Sequence, residues 1–181
     1  LIDTAQQGSA VTTTRDSLDR ARGERGPMTA RQLSFTVTGA APRDLAGAVR
    51  AAIRSNARTF LEPPIANLGH RGIATASKQV GGWLTRSSDP SSDLPLTATL
   101  MERGGTGGAL FRNLYRDFLA ECVPLVDDEN LRSGHEQYAE IAPLWTEVAD
   151  HIAAARLTDA ADVLAALADK ERHAMQTLSA V

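Results

Sequence analysis

Apolar residues recur every three or four positions over most of this chain, a spacing that predicts helices. Thr14, ahead of Arg15-Asp16-Ser17-Leu18, marks the start of a capped helix. Gly23 to Thr29, with Gly26-Pro27, reads as a linker, so the chain is expected to divide into 1–31 and 32–181. Gln32 to Thr38 alternates polar and apolar instead, with Leu33, Phe35 and Val37 on one face. That pattern predicts a half-buried strand ended by Gly39, and a lone strand needs a partner.

Helical spacing then takes over. Pro42 to about Leu61 carries Leu45, Val49, Ile53, Ala57 and Phe60, and Glu62-Pro63-Pro64 stops it. About His70 to Leu84 carries Ile73, Ala76, Val80, Trp83 and Leu84, with Gly81-Gly82 weakening its end. Ser87 to Asp93 reads as an exposed polar loop, followed by a short helix from Pro95 to about Glu102. Ala109 to Val123 places Leu110, Leu114, Phe118 and Cys122 on its inward stripe, with Phe111, Tyr115 and Leu119 beside it. Asn130 to about Ala155 turns Tyr138, Ile141, Trp145, Val148 and Ile152 inward. Thr158 is expected to cap a last helix to Leu178, with Val163, Leu164, Leu167 and Met175 inward. The expected fold class is mainly α: an antiparallel helical domain with one or two short strands.

Composition agrees with a globular, cytoplasmic protein: apolar residues are 43% and charged residues 23% of 181. A net charge of −3 points to neither nucleic acid nor an anionic membrane, and no apolar run reaches the ~20 residues of a membrane span. The single cysteine, Cys122, excludes an internal disulfide and a cysteine-based zinc site, and it falls on an apolar helix face that suits an inert thiol. The histidines show no ligand spacing, so neither a metal nor a cofactor is expected; His70 alone stands in a glycine-bearing turn.

Gly104-Gly105-Thr106-Gly107-Gly108 is the one stretch suited to chemistry, because it precedes a helix N-terminus. It is neither a Walker loop nor a dinucleotide fingerprint, since no Lys-Ser/Thr pair follows and no strand precedes it. It serves either as a sharp corner or as an anion site completed by Arg112. Arg112 and Arg116, one turn apart, suit either an acidic ligand or a solvated face. Leu1-Ile2-Asp3-Thr4 reads as the end of a buried strand running out to a carboxylate, as if the chain began within a domain.

The run Glu102-Arg103-Gly104-Gly105-Thr106-Gly107-Gly108-Ala109-Leu110-Phe111-Arg112, then Leu114-Tyr115 and Phe118-Leu119, resembles the C-terminal helical domain of the butirosin biosynthesis protein H-like family. Leu68-Gly69-His70-Arg71-Gly72-Ile73, ending at Trp83, and Tyr138, Ile141 and Leu144-Trp145 are similar to the same domain. Asp3, Leu18 and Ala21-Arg22 resemble the tail of that family's papain-like N-terminal α+β domain, of which the short strands would be a remnant.

The resemblance implies part of an acyltransferase of secondary metabolism. Such an enzyme moves an acyl or aminoacyl group from an acyl carrier protein thioester to a small-molecule amine, through a Cys-His-Asp arrangement. Only Asp3 carries over, as the orienting carboxylate; the cysteine and histidine belong to a missing N-terminal catalytic domain, so the chain alone is expected to be inert. Gly104, Gly105, Thr106, Gly107, Gly108 and Arg112, with His70, are the implied substrate-binding residues. Two other readings stay open: a non-catalytic helical binding or interaction module, and part of a cysteine peptidase or amidase.

Overall fold

Residues 12–25, 32, 33, 35, 36, 38, 39, 44–104 and 107–181 are described by the structure, a computed structural model. Asp3 and the expected opening strand, Ser34, Val37, Pro42, Gly105 and Thr106 lie outside the described residues. The chain divides into two units, Leu1–Ala41 and Pro42–Val181.

In the first unit, Thr14 caps α1 (Arg15–Gly23) by accepting the Ser17 N–H at 3.2 Å, as its sequence predicts. The Arg22 guanidinium then donates to the carbonyls of Gln32 at 2.7 Å and Leu33 at 3.1 Å. The Gln32 amide donates to the Asp19 carbonyl at 3.1 Å, and the Gln32 N–H to the Arg22 carbonyl at 3.2 Å. Gln32 and Leu33 therefore belong with α1, which explains a division beyond residue 31.

Against the expectation, none of the described residues from Gln32 to Thr38 is in a strand, and Leu33 and Phe35 are 63% and 85% exposed. Alternation becomes a strand only against a ladder partner; here Gln32 is left-handed at φ 58° and Arg22 takes its carbonyl and that of Leu33.

The second unit is helical, in agreement with the mainly α expectation. Its elements are α2 (Leu45–Leu61), α3 (Gly69–Gln79), a 3-10 turn (Val80–Gly82) leading into α4 (Trp83–Arg86), α5 (Pro90–Arg103), α6 (Ala109–Cys122), α7 (Glu129–Ala153) and α8 (Leu157–Leu178). Gly81-Gly82 breaks the predicted His70–Leu84 helix into three pieces. The polar segment expected as a loop to Asp93 is already helix from Pro90. Proline at the first helical position loses no bond, and the Asp93 N–H returns to the Asp89 carbonyl at 2.9 Å.

Helix α8 lies against α2, α3 and α7, while α7 also packs on α5 and α6. The residues predicted to face inward from α7 (Tyr138, Ile141, Trp145, Val148, Ile152) are all buried. Along α8 the buried positions Leu157, Ala160, Leu164, Leu167, Glu171, Ala174 and Leu178 alternate steps of three and four, the pattern of a helix seam. Among the described residues no helix is long and apolar enough to cross a membrane.

The α7–α8 corner differs from expectation. Ala155 adopts the left-handed region at φ 57°, the Arg156 N–H bonds the His151 carbonyl at 2.8 Å and the Ala155 N–H bonds that of Ile152 at 3.0 Å. This is a Schellman stop with alanine where glycine is usual. It starts α8 at Leu157, so Thr158 is inside the helix and caps nothing.

The start of α7 is fixed by Asp128. Its carboxylate accepts the N–H groups of Asn130 at 2.9 Å and Leu131 at 3.3 Å, and Arg50 of α2 pairs with it at 2.7 Å. Desolvation pushes this carboxyl up, but the Arg50 and backbone bonds outweigh it and hold it below the usual aspartate value. A lowered folded value means stability that is present above the unfolded pKa of about 3.9 and lost as pH falls through the folded one. Asp128→Ala should cost about 1–2 kcal/mol in urea unfolding at pH 7, and the difference from the unaltered protein should shrink below about pH 4.

Candidate functional site

Glu171 occupies a core position of the α8 seam and is 1% exposed. A carboxylate there requires partners, and α6 and α7 supply them. The Arg112 guanidinium grips it with two parallel bonds, Nε to Oε1 at 2.8 Å and Nη2 to Oε2 at 3.1 Å. The Trp145 indole N–H donates to the same Oε1, and the Arg112 guanidinium carbon stands 4.3 Å from the Trp145 ring centroid, a cation–π contact. Arg112 is thus not on a solvated face.

One turn beyond Arg112, Tyr115 meets Tyr138 of α7 edge to face, with centroids 4.8 Å apart. The Tyr115 hydroxyl is buried without a hydrogen-bond partner. Burial pushes its pKa up, and nearby Asn56 offsets part of that rise without coming into hydrogen-bond geometry. Tyr138 is pushed up as well, by burial first and then by Glu171 and Tyr115, against a smaller opposing effect of Arg112. Both phenols therefore stay neutral.

This geometry turns α6 away from its expected orientation. Ala109, Leu119 and Cys122 are buried, whereas Phe111, Leu114 and Phe118 are 49%, 45% and 37% exposed. Leu114 and Phe118 were expected on the inward stripe; the helix is rotated so that Arg112 reaches Glu171 and Tyr115 reaches Tyr138.

Arg112 forms a wall of two cavities. The first, about 380 Å³, is bounded by Asn56 and Phe60 of α2, Phe111 and Tyr115 of α6, and Tyr138, Glu171 and Met175. The second, about 410 Å³, lies among α3, α5, α7 and α8 and is lined mainly by apolar side chains, including both tryptophans, Trp83 and Trp145.

The glycine stretch leads into α6. A Cβ on Gly108 would lie 2.8 Å from the Met101 carbonyl oxygen, so close approach of the two segments demands glycine there. Gly107 is left-handed at φ 86°, with nothing within 4 Å of where its Cβ would stand. Gly104 packs against Leu100, and Gly107 lines the second cavity. Gly105 and Thr106 lie outside the described residues.

His70 sits beside Phe60, with centroids 6.3 Å apart and a buried, unpartnered Nδ1. It lines neither cavity, although its neighbour Gly69 lines the second. Arg116 is occupied by Asp117 at 2.7 Å and Asn113 at 2.8 Å. The Cys122 thiol is buried and pushed up by desolvation and then by Glu121, the reverse of an activated nucleophile. Among the described residues no group of three or more His, Cys, Asp or Glu is placed to hold a metal.

The sequence reading passed over Glu171. It is the one charged residue in the three-four series from Leu157 to Leu178, and that interruption of an apolar seam was the available signal.

A family model described as a domain of unknown function (DUF4872) matches residues 16–178. No curated protein and no solved structure matches the chain.

Proposed function

The chain belongs to this family, and we propose that it is the helical, substrate-binding part of a cytoplasmic acyltransferase of secondary metabolism. In this reading a cysteine outside this chain attacks the thioester of an acyl carrier protein, forming an acyl-cysteine and releasing the carrier thiol. A small-molecule amine then attacks the acyl-cysteine, forming an amide and releasing the cysteine thiol, with Asp3 orienting the histidine that moves the proton. The helical part contributes recognition.

The observation that carries the reading is the Arg112–Glu171–Trp145 cluster standing between two cavities. A buried ion pair adds little net stability compared with packed apolar side chains, so its position at two cavity walls favours a binding role. Tyr115, beside it, adds an aromatic wall to the first cavity. The buried, raised Cys122 thiol agrees with an acyl-carrying cysteine elsewhere.

The test is intact-protein mass spectrometry of the protein with its upstream catalytic domain, after exposure to acetyl-, aminobutyryl- and octanoyl-carrier thioesters. One acyl adduct on a cysteine outside residues 1–181, discharged by an aminoglycoside amine, is the expected result. An adduct on Cys122, or none with any thioester, would overturn it. The exposed row Phe111, Leu114 and Phe118 favours a second reading, a non-catalytic interaction module.

A further inference from the structure

We propose that the second cavity is a pocket for an apolar acyl group whose carbonyl or carboxylate end lies against Arg112. The inference rests on the acyl-transfer reading only in naming the guest an acyl group; the pocket itself is argued from its walls. Ile73, Trp83, Met101, Val148, Ile152 and Leu164 make it apolar over most of its surface. Protein cores leave few voids larger than a water molecule, whereas small-molecule pockets begin at about 300 Å³. At about 410 Å³ this one has room for such a guest, and its apolar lining sets it apart. An aliphatic chain entering it takes both its own surface and that of the walls out of water.

One wall is charged. Nε and Nη2 of Arg112 are engaged by Glu171, but Nη1 makes no hydrogen bond among the described residues. Arg112 lines the second cavity, and its remaining donor is suited to a carbonyl or carboxylate oxygen and hostile to an ammonium group. Of the other polar walls, the Thr97 hydroxyl already donates to the Asp93 carbonyl at 2.7 Å, and Asn67 is neutral and offers a carboxylate no opposite charge. Gly107, with no side chain and open space around it, leaves backbone at the wall that a guest can approach closely.

The chain's two tryptophans both line this cavity, so its occupancy is read directly by their fluorescence. Octanoate, octanol and octylamine are titrated into the whole protein while tryptophan emission is followed. Octanoate should give a saturable change and bind about tenfold or more tightly than octylamine, since only its head group makes a charge-assisted bond to Arg112. Ala76→Phe, which fills the cavity from α3, should abolish the response without lowering the thermal midpoint. The charge-free pair R112M/E171Q should keep the response to octanol and lose the preference for octanoate. The proposal is overturned by equal affinity for octanoate and octylamine, by no saturable response to octanoate, or by a preference for octanoate that persists in R112M/E171Q. Because the titration needs no turnover, octanoate binding without any acyl transfer would overturn the acyltransferase reading and leave the pocket standing. Acyl transfer without an octanoate response would do the opposite.

Discussion

Arg112→Met should lower stability by about 3–5 kcal/mol, the cost of leaving one charge of a buried pair without its partner. Glu171 is 1% exposed, and the indole N–H of Trp145 does not replace a guanidinium that holds both carboxylate oxygens. Adding Glu171→Gln should recover most of the loss, because the neutral amide still accepts from Trp145 and no charge remains buried. Urea unfolding of the single and double variants decides the matter. Equal midpoints for R112M and R112M/E171Q would show that the carboxylate does not depend on Arg112.

Gly69→Ala should be the next most damaging change. Gly69 opens α3 in the left-handed region at φ 58°, and a Cβ there would stand 2.1 Å from the Phe60 carbonyl oxygen. The left-handed conformation alone costs about 1–2 kcal/mol for an L-residue, and displacing backbone adds about 1–3 kcal/mol more. Gly81→Ala is the control. Gly81 has nothing within 4 Å of its would-be Cβ, and the change should be neutral or stabilising by up to about 1 kcal/mol. Similar thermal midpoints for the two variants would mean that the approach of Gly69 to Phe60 is easily relieved.

The long helices were legible because their inward faces are apolar and periodic. In α7 the spacing alone picked out Tyr138, Ile141, Trp145, Val148 and Ile152, and every one is buried. Reading failed where the binary pattern inverts. Helix α6 sends Arg112 inward and leaves Phe111, Leu114 and Phe118 exposed, so counting apolar residues chose a face rotated from the observed one. The inversion originates on another helix, at Glu171, and a pairing across 59 residues of sequence has no local signature. The segment near Leu33 failed for a related reason: its alternation was real, but a strand is a property of two segments, and Arg22 bonds the carbonyls instead. Pro90 and Ser91-Ser92 carried turn chemistry that serves equally well as a helix start. The glycine stretch was legible as a special place; its reasons, the Met101 backbone for Gly108 and the left-handed turn for Gly107, are tertiary.

Helix α8, the surface on which α2, α3 and α7 meet, follows all of them in chain order. Synthesis on the ribosome therefore delivers the bundle's central strut last. Until α8 emerges, α2 and α3 lack the helix against which most of their native packing is made, and Arg112 waits without its carboxylate. Helices that pair locally can form early, but closure of this core waits for α8. Between the emergence of α2 and that of α8, the apolar faces of α2 and α3 are open to chaperone capture.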